Sequence, residues 1–416
     1  MKIKKVENSQ KKSFRVSRKV VVAAGIVVLA AVLAFAALVS RKRNTIAIYG
    51  LDSQQAEAVK SQLMEISEEK HLGFEVAVLN NEKTISSQLA LSPKTLAVIT
   101  TAGYGMESAV KRASRKAGVS FDLTSEMTSS MRNSTRLNGS KKVAAIPLLS
   151  DNLEIDIDTS AFRTSGMEAI STWADITEFS RIQKRRVDFP LAFAGTDGEF
   201  FLDLLGGFAE ALDGQDSYSK AAEILKTAAG KKFDAAAIAN ELSDNPDSPL
   251  ITSIRFLKSW YKNGILNENT FSFSKRDINA FVENRLASGF FMTLSDHRNS
   301  GKNISNYSSI YFPSDKAASA RTFSSTTIYA VPLKKSKSVE KIVSELVSAD
   351  GQEKLSRATG FAPVLAHCRT PDKQADDVRY WVAATNPPNA GLGHEAFFTQ
   401  EHFRQLGKEL ASRIMY

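Results

Sequence analysis

The apolar positions fall into three regimes along the chain. From Val20 to Ser40 there is one run of 21 residues without a charge, made of twelve Val, Leu, Ile or Phe, seven Ala, one Gly and one Ser. At about 1.5 Å per residue a helix of this length spans roughly 31 Å, the thickness of a hydrocarbon core. The second regime starts at Thr45. Short β-branched runs at Thr45 to Tyr49, Phe74 to Leu79 and Thr95 to Thr100 enclose a stretch with Ala56, Val59, Leu63 and Ile66 at helical spacing. Strand, helix, strand, helix, strand predicts a mainly parallel sheet with covering helices, so 44 to about 148 reads as an α/β half-domain. The Ser/Thr-rich stretch 123 to 142 has no apolar period and reads as a loop.

Leu153 to Asp158 alternates strictly between apolar and acidic residues. Asp151, Glu154, Asp156 and Asp158 lack the glycine and twelve-residue loop of an EF-hand, so the segment reads as a strand that shows its acids to water. Beyond 166 longer helices take over. Gly198 to Leu212 carries a broad apolar face of Phe200, Phe201, Leu204, Leu205, Phe208 and Leu212. Pro249 to Gly264 groups Ile254, Leu257, Trp260 and Tyr261, and Ser338 to Ser348 groups Val339, Ile342, Val343, Leu346 and Val347. Strands are expected between them at Leu286 to Leu294 and Thr326 to Val331. The apolar settings of Trp173 and Trp260 mark both as core; Trp381, in Arg379-Tyr380-Trp381-Val382, is left open.

Charge alters this picture at one end only. The 416 residues carry 54 Lys and Arg against 45 Asp and Glu, a formal +9. Residues 1–43 hold eleven of those bases and one acid, Glu7, which leaves 43 bases and 44 acids in the rest. The body from Asn44 is therefore almost neutral, and a phosphate-coating, nucleic-acid-binding protein is disfavoured. The basic residues flank the apolar run, +7 before it and +3 just after it, so positive-inside counting keeps the N-terminus cytoplasmic and exports the rest. Ala34-Phe35-Ala36 resembles a signal-peptidase exit, but the apolar run exceeds the usual length of a signal's core, and an uncleaved anchor is expected. The expected localisation is single-pass in the cytoplasmic membrane, with residues 1–19 a basic cytoplasmic tail, 20–40 the transmembrane anchor and the C-terminal domains periplasmic. About 370 residues beyond the basic head exceed one typical core, so two domains are expected.

Catalytic chemistry is hard to find. The single cysteine, Cys368, forms no intrachain disulfide and has no activating neighbour beyond His367 and Arg369. Five scattered histidines, none paired at i+3 or i+4, argue against a zinc site. Nucleophile-elbow and P-loop motifs are absent. Gly391-Leu392-Gly393-His394-Glu395-Ala396 matches the dinucleotide fingerprint in form but follows Asn386-Pro387-Pro388-Asn389 instead of a strand, and is taken as chance. No enzyme and no cofactor are expected.

A series of segments between about 145 and 365 resembles, in order, the extracellular solute-binding proteins of ABC importers, the group that includes maltose- and sugar-binding proteins. Ala145-Ile146-Pro147-Leu148 resembles the strand ending in Pro before the first crossing between lobes. Ile157-Asp158-Thr159-Ser160-Ala161-Phe162, with Gly166 after it, is similar to Tyr-Asn-Lys-Asp-x-Phe, and Ser171-Thr172-Trp173-Ala174-Asp175-Ile176 to Pro-x-Thr-Trp-Asp-Glu-Leu. Phe256 to Ile265 resembles a helix that ends in Gly. Asp277 to Phe281 and Ala287 resemble Asp-x-x-x-Phe-x-x-Gly-x-Ala-Met. Ala330 to Ser336, Ser348 to Lys354 and Gly360-Phe361-Ala362-Pro363 resemble the remaining landmarks.

The resemblance implies an α/β, two-lobed periplasmic-binding-protein-like fold with an interlobe cleft, preceded here by the one N-terminal transmembrane helix. Lobe I would take 44–150 and part of 300–335, lobe II 151–300, and 336–416 would be a C-terminal helical segment packing on the lobes. Ligand sits between lobes in such folds, held by loops at strand ends and helix N-termini. By that logic the ligand-binding candidates are Tyr104, Thr196, Asp197, Ser295, Asp296 and His297, with Ser325 and Thr326 in the crossing segment that includes Ser324 and Thr327. Tyr104 would stack on a sugar face, and Asp197 and Asp296 would accept hydroxyl hydrogen bonds. The implied partners are a small polar solute, chiefly a carbohydrate, and ABC permease subunits. Two other readings stay open: a sensory or scaffolding module that keeps the bilobal fold, and an exported enzyme with unrecognised carboxylates.

Overall fold

A computed structural model describes residues 44–113, 143–310, 312–314, 325–365, 368–369 and 389–416. The predicted tail and anchor, the predicted loop at 123–142, Ser324 and Trp381 lie outside these residues. Among the described residues no helix is long and apolar enough to cross a membrane.

The strands are β1 (Asn44–Tyr49), β2 (Phe74–Val78), β3 (Thr95–Thr101), β4 (Ile146–Asp158), β5 (Gly289–Thr293), β6 (Tyr307–Ile310), β7 (Ser325–Pro332) and β8 (Ala362–Pro363). They join in the order β2-β1-β3-β7-β4-β5, with β6 and β8 also paired to β4. β1 and β3 are parallel, as the strand-helix alternation predicts, whereas β7 runs antiparallel to both β3 and β4.

β4 is the strand that unites the molecule. Its first half, Ile146 to Asn152, pairs with β7 in the sheet of lobe I. Its second half pairs with β5 from Leu153 to Ile157 and with β6 from Ile155 to Asp158, in lobe II. All 13 residues are buried. This corrects the expectation that the acids of this strand face water: Glu154 and Asp156 are both 0% exposed, and Asp151 and Asp158 are buried as well. Leu153, Ile155 and Ile157 enter the lobe II core on one face. The helix Leu294–Asn299 packs against β4 and brings His297 to Asp156, so the acidic positions are covered too. Alternation marks two chemically different faces but does not say that the polar one is wet.

Two main cores result. Ile46, Ile48, Leu63 and Ile99 pack with Val339, Ile342, Val343 and Leu355, so the helices Lys337–Leu346 and Ala349–Thr359 complete lobe I. Phe201, Phe208, Leu257 and Trp260 pack with Phe403, Leu406, Leu410 and Ile414 of the helix Gln400–Met415 in lobe II. Trp173 and Trp260 are core residues there, as their apolar settings predict. The helix predicted at Gly198 to Leu212 spans Gly198–Asp213. Gly198 starts it because a Cβ there would lie 2.1 Å from the Phe403 carbonyl oxygen, where Gln400–Met415 crosses.

Candidate functional site

A cleft opens between the lobes where strands end and helices begin. Lobe I contributes Gly50, Leu51 and Asp52 after β1, Thr101 at the end of β3, Gln55, Thr326 and Ile328 from β7, and Phe361. Asp52 sits there because it caps the helix Ser53–Glu69, its Oδ1 accepting the Gln55 amide at 2.8 Å. From lobe II come Asp197, Glu199, Phe200 and Asp203 around the start of Gly198–Asp213, Lys275 at the start of Lys275–Asn284, and Thr293, Ser295 and Asp296 at the β5 exit. His394 closes one side, and the space between these groups is about 630 Å³. The lobes touch directly across it, Gln55 Nε2 donating to Ser295 Oγ at 3.5 Å.

The wall is acidic. Asp52, Asp151, Asp197, Glu199, Asp203 and Asp296 face this space together with Lys275 and His394. Lys275 Nζ lies 3.1 Å from Asp296 Oδ2 and 3.5 Å from Asp197 Oδ2. Burial would lower its pKa, but the Asp296 and Asp197 carboxylates outweigh it and hold the ammonium protonated well above its ordinary range. His394 places Nδ1 3.4 Å from Glu199 Oε1 and Nε2 3.6 Å from Asp203 Oδ2. Asp203 Oδ1 accepts the Gly393 amide at 2.7 Å, and a Cβ on Gly393 would stand 2.8 Å from Glu199 Cγ. The Gly-Leu-Gly-His stretch is thus a 3-10 turn whose glycine admits two carboxylates, not a nucleotide loop.

Asp151 accepts the Ser295 amide at 2.9 Å and the Ser295 hydroxyl at 2.6 Å. Desolvation pushes Asp151, Glu199 and Asp203 each up to about 7, even though hydrogen bonds from Ser295 to Asp151 and from Gln400 to Glu199, and the charge of His394 near Asp203, pull downward. Such a wall takes up hydrogen-bond donors: carboxylates accept from hydroxyl or amino groups with charge assistance.

An adjoining space of about 650 Å³ shares Gly50, Asp52, Glu199 and His394 and adds Tyr49, Glu82, Tyr104, Phe397 and Phe398. The Tyr104 ring is 5.5 Å from Phe397 and 6.5 Å from Tyr49, and burial raises both tyrosine hydroxyls above their usual pKa. This is an apolar shelf beside an acidic floor.

Of the residues singled out in the sequence, Asp197, Ser295, Asp296 and Thr326 line the main cleft and Tyr104 the adjoining shelf. Two others sit elsewhere. Thr196 gives both its amide, at 3.0 Å, and its hydroxyl, at 3.1 Å, to the Phe273 carbonyl, and borders a separate cavity with Phe271, Arg404 and Met415. His297 lies behind the wall, 5% exposed, with Nδ1 2.6 Å from Asp156 Oδ1. Ser325 pairs with Asn152 at the start of β7. Sequence reasoning missed Asp52, Asp151, Glu199, Asp203, Lys275 and His394. Four of these carried a signal: Asp52 heads a capping box, Lys275 follows the cap Ser274, and Glu199 and Asp203 are one helical turn apart after Asp197.

Two α/β lobes threaded by one strand around a polar cleft define the solute-receptor architecture. The solved structures agree on this point. The chain superposes on a binding protein described as putative MsmE of Bacillus subtilis, in an open conformation, with a TM-score of 0.65 at 14% identity over 89% of this chain and 93% of that one. AcbH, a bacterial solute receptor described as preferring β-D-galactopyranose, gives 0.60 at 13% identity over 91% and 100%. Maltose-bound MalE3 of T. maritima gives 0.59 at 14% identity over 88% and 99%. No protein-family model and no curated protein matches the sequence. At these identities the likeness shows the fold: that of the maltose-binding-protein-like solute receptors.

Proposed function

We propose that this chain is a membrane-anchored, extracytoplasmic solute-binding protein that captures a small polar solute, chiefly a carbohydrate, between its lobes and delivers it to an ABC permease. The observation that carries this reading is the cleft itself, where six carboxylates from both lobes converge on one space. A polyhydroxylated ligand supplies the donors those oxygens accept, and the Tyr104, Phe397 and Phe398 shelf offers its ring an apolar surface. The sugar ligands of AcbH and MalE3 support the same class of solute. Ligand would select a closed arrangement by touching both lobes at once, with β4 as the continuous element about which they move. The anchor and the cytoplasmic N-terminus rest on the apolar run 20–40 and its flanking charges.

A thermal-unfolding screen of the full-length protein against mono- and oligosaccharides tests this directly. A solute at 100 times its dissociation constant adds about 2.7 kcal/mol to the stability of the folded state, so a true ligand gives a clear upward shift of the midpoint. A panel of sugars that leaves the midpoint unmoved removes the carbohydrate reading.

A further inference from the structure

The shape of the cleft admits many small solutes, and its charge narrows them. Asp151 is held by Ser295. Six further carboxylates line the main cleft and the adjoining shelf: Asp52, Glu82, Asp197, Glu199, Asp203 and Asp296. Among the described residues the same walls present one ammonium, Lys275, and one imidazole, His394. Lys275 bridges Asp296 and Asp197, and His394 stands between Glu199 and Asp203. Asp52 and Glu82 have no cationic partner among the described residues: Asp52 accepts the Gln55 amide, and Glu82 Oε1 accepts the Gln400 amide at 3.2 Å. With these six ionised and His394 protonated, the six acids exceed the two cations by four charges.

A neutral sugar does not answer this charge. Its hydroxyls donate to the carboxylate oxygens, but lobes that close over it strip water from the acids and bring no opposite charge, which is costly. An ammonium group brings three donors, no acceptor and a full positive charge. The wall already receives one such group from its own chain, because Lys275 Nζ lies 3.1 Å from Asp296 Oδ2 and 3.5 Å from Asp197 Oδ2. Beside the acids, the Tyr104 ring stands 5.5 Å from Phe397 and 6.5 Å from Tyr49, and the electron-rich faces of such rings attract cations. A bare metal ion suits these walls less well: among the described residues, no three of their ligand atoms lie within 4.8 Å of one another. Carboxylates spread over two adjoining spaces suit an extended organic cation.

We propose that the solute carries ammonium groups, which the cleft recognises through Asp52, Glu82, Glu199 and Asp203. Asp197 and Asp296, held by Lys275, keep lone pairs for the hydroxyls of the same molecule. This inference rests on the cleft being a solute site and names the charge of what enters it. Ammonium on a sugar and ammonium on a linear polyamine meet the same carboxylates, and the test separates the two sources.

The test is isothermal titration of the full-length protein at about pH 7, where alkyl ammonium groups stay charged. The probes are kanamycin, an aminated trisaccharide; maltotriose, a neutral one; trigalacturonate, an anionic one; and spermidine, a linear polyamine. The better cationic probe is expected to bind at least about tenfold tighter than maltotriose. Added salt weakens that probe and leaves maltotriose unmoved, and trigalacturonate does not bind. Kanamycin ahead of spermidine places the ammonium on a sugar, and the reverse order places it on a polyamine. Glu199→Gln, which keeps an acceptor for Gln400, narrows the gap between the cationic probe and maltotriose; if this variant fails to fold, the salt dependence of the wild type decides. Maltotriose or trigalacturonate bound as tightly as both cationic probes overturns the proposal and leaves the solute-receptor reading standing. Binding of none of the four overturns both.

Discussion

Phe208→Ala is expected to cost lobe II about 3–5 kcal/mol, the range for removing a fully buried aromatic ring. Phe208 is 0% exposed and stands at the centre of a ring cluster. Its centroid lies 4.9 Å from Trp173, 5.5 Å from Phe256 and Phe312, 5.7 Å from Phe291 and 6.0 Å from Trp260. These contacts come from two separate helices, β5 and the segment after β6, so no single neighbour can close the void left behind. The loss is a large share of the 5–15 kcal/mol that holds a typical domain folded. Tryptophan fluorescence in a urea titration measures it, since Trp173 and Trp260 both border the void. Leu91→Ala, at a position 78% exposed, should move the midpoint little. A Phe208→Ala midpoint as close to wild type as that control would contradict the assigned core.

The second large effect is a stability that falls with rising pH. Asp151, Glu199 and Asp203 titrate near 7 in the folded protein because burial disfavours their charged forms; in the unfolded chain they titrate near 4. Between those values the folded state holds more protons than the unfolded one, so the unfolding free energy declines as pH rises from about 4 to about 7 and levels off above. The Glu199 side chain keeps 29% of its surface open and the Asp203 side chain 15%, so solvent moderates the effect most at Glu199. Urea midpoints at pH 5 and pH 8 check this: the pH 5 value should be higher, and Asp203→Asn should flatten the difference. A midpoint that climbs from pH 5 to pH 8 would mean that the cleft carboxylates are not desolvated. Solute affinity should run the other way and strengthen with pH, because the ionised carboxylates are the better acceptors.

The parts of the molecule that local pattern governs were legible in the sequence. The strands at Thr45, Phe74 and Thr95 and the helices from Gly198, Ile251 and Lys337 follow from apolar spacing and caps within a few residues of their observed bounds. The rule that ligands gather at strand ends led to Asp197, Ser295 and Asp296 at the cleft. It placed Thr196 there as well, since an offset of one residue cannot be read from sequence when the backbone is tied across the fold to Phe273.

What stayed hidden depends on long-range closure. The helix that covers the acidic face of β4 arrives 141 residues after Asp156, so the alternating segment looks the same in sequence whether that face is dry or wet. His394 and Gly393 reach Asp203 from 190 residues downstream, and no local pattern in Gly-Leu-Gly-His foretells two carboxylates.

The central claim is that the acidic interlobe cleft holds the solute, and isothermal titration of the full-length protein with the best sugar from the thermal screen tests it most directly. The comparison is wild type against the double variant Asp197→Asn, Asp296→Asn. Asn keeps the helix cap at Asp197, so the fold and its unfolding midpoint should persist. Each lost charge-assisted hydrogen bond is worth about 1.5–3 kcal/mol, and the account predicts an affinity at least tenfold weaker in the double variant. Undiminished affinity in that folded variant would show that the sugar binds elsewhere and would contradict the account.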